Sequence, residues 1–346
     1  MLPKIKMASK SYNSASRKMF IAAEGFEQRS LYWISNEENK TVFERSIICK
    51  YDPGKKSRFQ EMYSWVKKHT NNEPLVLNYD RFEPTVFEQN FKNAIAELED
   101  IDEIIIDISV MSKLMIMIVL CCLKKYDGKL TILYSEPCEW GPAEEKFKDT
   151  MENRTHGTCI GLSSIGVGNV VRTPYLSSIV MQDCPILLIA FLSFNEQLIN
   201  VLINEINPTQ ICIINHKCSR AAWRENAMYL IHENLIDEYR NSKNKENIDS
   251  FEWLDYIAVF EKLVEIYKNN CYNYRIVISP TGCKLQAVAC ALLKNCCSDI
   301  HVEYPTPESY WFEEFTSDTI LKVHEIAFDN YKREINDLPE RYHLNG

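Results

Sequence analysis

The sequence predicts an α/β chain made of two tandem parallel-sheet units, and three observations carry that expectation. Short, nearly unbroken apolar runs such as Asp102-Glu-Ile-Ile-Ile-Asp-Ile-Ser and Tyr274-Arg-Ile-Val-Ile-Ser-Pro read as strands buried on both faces. These runs alternate with segments whose apolar residues recur at helical spacing. One order of strand, loop, lysine and Cys-rich apolar helix occurs twice, with Lys113 and Lys284 offset by 171 residues.

The first unit opens with the apolar strand Lys18–Phe26, which turns at Gly25. Phe43–Tyr51 reads as a strand and ends at the turn signal Asp52-Pro53-Gly54. Ser57–His69 has helical apolar spacing, Pro74–Tyr79 is strand-like, and Thr85–Leu98 places Val86, Phe87, Phe91, Ala94 and Ile95 on one helical face. The buried strand at 102–109, the helix Leu114–Lys125 and the strand Lys129–Pro137 complete the unit. The second unit repeats the theme with strands at Cys184–Phe194, Gln210–His216, Tyr274–Pro280 and Ile300–Pro307. Helices are expected at Glu196–Glu205, Arg220–Leu235, Tyr256–Asn269 and Leu285–Lys294. A repeat of half the chain means two domains, because solenoid repeats have periods of roughly 20–50 residues. The expected layout is a flexible amino terminus at 1–17, a first unit at 18–140, and a Gly/Ser/Thr-rich crossover at 141–183. A second unit at 184–311 and a helical tail at 312–346 follow. Alternating strands and helices imply two Rossmann-like sheets, with a pseudo-two-fold arrangement expected of a duplication.

Composition narrows the function. At 46% hydrophobic and 25% charged, the chain can bury a core and is not largely disordered. Its 39 basic and 48 acidic residues give a net charge of −9, which argues against general nucleic-acid binding by phosphate neutralisation. The 13 cysteines are odd in number, include the adjacent pairs Cys121–Cys122 and Cys296–Cys297, and never form C-x-x-C. They read as reduced thiols of a cytoplasmic protein, with no metal site and no cofactor expected. The longest apolar run, Leu114–Leu123, falls short of the ~20 residues a membrane span needs.

In parallel sheets, ligands bind where strands lead into helix N-termini, whose free N–H groups suit phosphate. Two such loops stand out. Ser109-Val-Met-Ser112-Lys113 carries two hydroxyls and an ammonium at a helix start. Ser279-Pro-Thr281-Gly282-Cys-Lys284 adds a glycine that would admit a ligand close to the backbone. The bland alternative is a pair of ordinary N-caps with solvated lysines. Neither loop is a P-loop, and G-x-G-x-x-G and G-x-S-x-G are absent. Glu24 and Arg29 follow the first strand and are candidate ligand contacts; an intrachain ion pair is the alternative. Ser135-Glu136 and Glu303-Tyr304 end the last strands, in position to meet a base or ribose. His216, beside Lys217 and Arg220 at a strand end, is the one candidate acid–base histidine.

The Ile-Val-Ile-Ser-Pro-Thr-Gly-Cys-Lys segment resembles the strand–loop–helix motif of CARF domains, the Rossmann-like sensors of cyclic oligonucleotides in prokaryotic antiviral defence. Two CARF-like units in one chain also describe SAVED domains. The first loop departs from that pattern, lacking the glycine. The resemblance implies a sensor subunit that recognises a nucleotide or cyclic oligonucleotide in a cleft shared by the units, with an effector on another chain. The alternatives are a nucleotide phosphodiesterase of the ring-nuclease kind, using His216 or a loop hydroxyl, and a scaffold subunit of a defence complex with a vestigial pocket.

Overall fold

The computed structural model describes residues 2–12, 15–52, 54, 57–96, 98, 100–155, 159–243, 248–311 and 318–344, with backbone alone for 239–243. Two compact units emerge: Met1–Trp140 together with Thr316–Gly346, and Gly141–Phe315. The second is an insertion in the first.

The first unit contains, in order, β1 (Lys6–Met7), β2 (Lys18–Ala23), β3 (Arg45–Asp52), α1 (Phe59–His69), β4 (Leu75–Asp80), α2 (Pro84–Ala94), β5 (Glu103–Asp107), α3 (Lys113–Cys122) and β6 (Lys129–Pro137). The inserted unit has α4 (Glu144–Glu152), β7 (Ser164–Ile165), β8 (Asn169–Val171), β9 (Ile186–Phe191), α5 (Gln197–Ile206), β10 (Gln210–Lys217), α6 (Trp223–Ile231) and α7 (Glu233–Lys243). It continues through β11 (Asp249–Glu252), α8 (Tyr256–Asn270), β12 (Arg275–Ser279), α9 (Lys284–Cys296), β13 (His301–Val302), β14 (Tyr304–Thr306) and β15 (Ser309–Tyr310). The chain then returns to the first unit as β16 (Ile320–Phe328) and α10 (Tyr331–Arg341).

The first sheet runs β1-β16-β6-β5-β2-β3-β4, and the second β11-β10-β9-β12-β13. Strands β2 to β6 are mutually parallel where they pair, as are β9 to β13. Counting the parallel strands of each unit in chain order, both sheets read 3-2-1-4-5, the order of a doubly wound sheet. Such strands are covered on both faces, which is why every residue of β2 and β5 is buried. Helix α3 is apolar all round and buried from Leu114 to Cys121, while α1 buries only Met62, Val66 and His69. Phe20, Trp33, Phe43, Ile48 and Ile105 anchor one core; Leu188, Ile199, Leu202, Met228 and Ile231 anchor a core of the inserted unit. All 13 cysteines are free, some buried like Cys49 and Cys290, Cys159 exposed. Among the described residues, no helix is long and apolar enough to cross a membrane.

Four expectations need correction. The described part of 1–17 is not loose: β1 pairs antiparallel with β16, and Trp33 Nε1 donates to Ser9 O at 3.0 Å. The region 141–183 is more than a crossover, since it supplies α4, β7 and β8 to the inserted unit. The tail is not simply helical, because Ile320–Phe328 forms a strand along β6; residues 312–317 and 345–346 lie outside the described residues. The strands expected of the second unit omit β11: as a half-exposed edge strand, Asp-Ser-Phe-Glu lacks an apolar signature. Pro53, in the expected Asp52–Gly54 turn, and Glu97, in the expected helix 85–98, also lie outside the described residues.

Candidate functional site

The two lysine loops occupy equivalent places, each joining the fourth parallel strand to a helix, with Lys113 and Lys284 as the first helical residues. Both lysines are half-buried, and each already has a contact of its own. The surroundings of the two loops differ.

In the first unit the hydroxyls serve the fold. Ser112 caps α3, its Oγ accepting from Met115 N at 3.1 Å and donating to Tyr79 Oη at 3.1 Å. The Tyr51 phenol fixes the same loop, accepting from Ser112 N at 2.7 Å and donating to Val110 O at 3.0 Å. Ser109, two residues past β5 and fully buried, accepts from Ser135 N at 2.8 Å. Ser135 Oγ is buried with no hydrogen-bond partner among the described residues. Glu24 is buried too, accepting from Ser57 Oγ at 2.6 Å and from Tyr51 N at 3.2 Å, so it ties β2 to the segment after β3. Arg29 forms a two-pronged pair with Glu27, at 2.8 and 2.9 Å, and donates to Tyr134 Oη at 3.3 Å. Burial works against its charge, but Glu27 outweighs burial and holds the guanidinium above its ordinary pKa. The ion-pair alternative for Arg29 is therefore what the structure shows, inside the protein and not on its surface.

In the inserted unit the arrangement is looser at one point. Thr281 is fully committed: its Oγ1 donates to Phe191 O at 2.6 Å and accepts from Phe191 N at 3.0 Å, stapling the loop to the end of β9. The space that a side chain at Gly282 would fill is taken by Gln286. A Cβ there would lie 1.9 Å from Gln286 Oε1 and 2.7 Å from Phe191 Cβ, so the missing side chain makes room for Gln286. Gln286 closes a capping box: its Oε1 accepts from Cys283 N at 2.8 Å, while the Cys283 side chain accepts from the Gln286 backbone. Its Nε2 has no hydrogen-bond partner among the described residues, and neither has Ser279 Oγ at the end of β12. Both side chains are buried, at 1% and 0% exposure. Sequence reasoning missed Gln286, although its spacing of three from Cys283 is that of a capping box.

The acidic residues ending the fifth strands are paired. Glu136 Oε2 lies 2.6 Å from His324 Nε2, and burial, opposed by Glu136, lowers the His324 pKa. Glu303 binds Arg172 at 2.9 Å and His301 at 3.2 Å. Because His301 Nδ1 accepts from Ser178 N at 3.1 Å, its Nε2 carries the proton and donates to Glu303. Burial would raise the Glu303 pKa, but His301 and Arg172 hold it below the ordinary value. His216 is half-buried near the end of β10, its backbone N–H donating to Asn215 Oδ1 at 2.8 Å. Among the described residues, no group of three or more His, Cys, Asp or Glu side chains converges as a metal would require. Comparison with protein-family models and with curated protein sequences gives no match for this chain.

Proposed function

We propose that this chain is a cytoplasmic binding module for a nucleotide or cyclic oligonucleotide, acting as a CARF-like sensor in prokaryotic antiviral defence with its effector on another chain. The observation that carries the reading is the start of α9. The unsatisfied Ser279 Oγ and Gln286 Nε2 belong to the segment that ends β12, carries Lys284 and opens the 13-residue helix α9, where the helix dipole is positive. Donors, a cation and a helix dipole together suit a phosphate. In this reading the inserted unit is the principal ligand holder, since the matching hydroxyls of the first unit are taken up, Ser112 Oγ by Tyr79 and Met115 N and Ser109 Oγ by Ser135 N. The shared 3-2-1-4-5 order supports the further proposal that the two units are tandem copies of one ancestor.

The test is to incubate the full chain with mono-, di- and cyclic oligonucleotides and to analyse bound and converted species by mass spectrometry. Binding without conversion is expected. Lys284→Ala should weaken it by about 1.5–3 kcal/mol, the size of a charge-assisted hydrogen bond, and Lys113→Ala by less. Conversion would favour the phosphodiesterase, and no binding at all would favour the scaffold.

A further inference from the structure

We infer that the Gln286 side chain is a removable stopper in the α9 anion site, which an incoming phosphate displaces. This rests on the site proposed above. The carboxamide oxygen of Gln286 stands 2.8 Å from Cys283 N, where an oxygen of a bound phosphate would accept the same hydrogen bond. The orientation of the amide is fixed, because turning it over would set Nε2 against the Cys283 N–H, donor against donor. The chain reserves space for this carbonyl, since any side chain at Gly282 would collide with it. Yet the arrangement satisfies only half of the amide: Nε2 is buried without a partner among the described residues, and so is Ser279 Oγ at the end of β12.

A purely structural cap would not need that deficit. A glutamate at this position would make the same capping bond with no donor left over, and it would repel an anion. Glutamine caps the empty site and, once swung aside, leaves it without a negative charge; the spare Nε2 is the cost of that neutrality. The Cys283 N–H and Ser279 Oγ pass to phosphate oxygens in the same movement. Binding therefore exchanges one internal hydrogen bond for several to the ligand, and affinity is reduced by the fraction of time the stopper is in place.

Calorimetric titration of the full chain with inorganic pyrophosphate tests this. Gln286→Ala should bind at least about tenfold more tightly than wild type, as expected if the stopper is out in one molecule in ten or fewer. Gln286→Glu, which retains the cap, should lose binding. Adding Lys284→Ala to Gln286→Ala should abolish the gain. Equal affinity of wild type and Gln286→Ala would overturn the stopper and leave the site standing. A gain that survives the loss of Lys284 would also overturn it, by showing that pyrophosphate binds elsewhere. No binding by wild type or any folded variant would overturn both the stopper and the site. If Gln286→Ala does not fold, Gln286→Glu decides, and affinity equal to wild type is the result that refutes the stopper.

Discussion

An alanine at position 282 would press its Cβ against Gln286 Oε1, the far end of a flexible chain, and against Phe191 Cβ, which is fixed to the backbone of β9. Gly282→Ala should therefore destabilise the inserted unit by about 1–3 kcal/mol, as overpacking does. Gln286→Ala in the same chain should restore part of the loss but not all, because the Phe191 clash remains. Urea unfolding followed by circular dichroism would measure both. His232 gives a pH-dependent counterpart. It is fully buried at the end of α6, with Nε2 2.9 Å from Ser193 O, and burial pushes its pKa down to about 4. The unfolded chain takes up this proton near pH 6.5, and the folded one does so only near 4. Its contribution to stability is thus complete above pH 6.5 and is lost as the pH falls towards 4, to a total of roughly 3 kcal/mol. The midpoint of denaturant unfolding should fall across that window, and His232→Gln should flatten the slope.

Strand β16 shows what a local pattern conceals. Its sequence, Ile-Leu-Lys-Val-His-Glu-Ile-Ala-Phe, places His324 and Glu325 among buried residues. They are tolerated because Glu136 meets His324, while Lys6 and the Tyr12 hydroxyl meet Glu325. Those partners lie more than 180 residues away in sequence, so no window around 320 reveals a strand. Proline at Ile326 would remove a rung between β6 and β16. Hydrogen exchange should then show faster amides in β6, β16 and β1, with α9 and β12 unchanged. The interior strands were legible for the opposite reason: β5 and β12 each hold an unbroken apolar run, Ile104–Ile106 and Ile276–Ile278, and their turns and following helices are local features. The two lysine loops were legible as places, but their chemistry was not. Which hydroxyl is spent depends on Phe191, Tyr79 and Ser135, residues that only the fold brings near.

At the scale of the molecule, the chain leaves the first sheet after β6, builds a complete five-stranded unit, and returns as β16. Residues 141–315 expressed alone should fold, with a cooperative melt and native-like exchange protection in β9, β10 and β12. Residues 1–140 alone should not, because β6 would be left as an unpaired edge and β1 would have no strand to join. Thermal melts and hydrogen exchange of the two pieces would decide this. A failure of 141–315 to fold would mean that the division between units does not reflect independent cores.

The return strand also decides how the chain answers a pull. Cys138 N donates to Thr319 O at 2.9 Å, and Pro137 faces Ile320, so the neck of the insertion is held closed by the ladder between β6 and β16. Tension on the two ends bypasses everything beyond that neck. It first strips α10, and then opens β1 from β16 rung by rung, since Lys6 and Glu325 lie at the end of the pair nearest both termini. Only when β16 has come away from β6 does the load reach the inserted unit. An optical trap gripping the ends would strip β1 and β16 from the first sheet before any load reached the unit carrying Lys284 and Gln286.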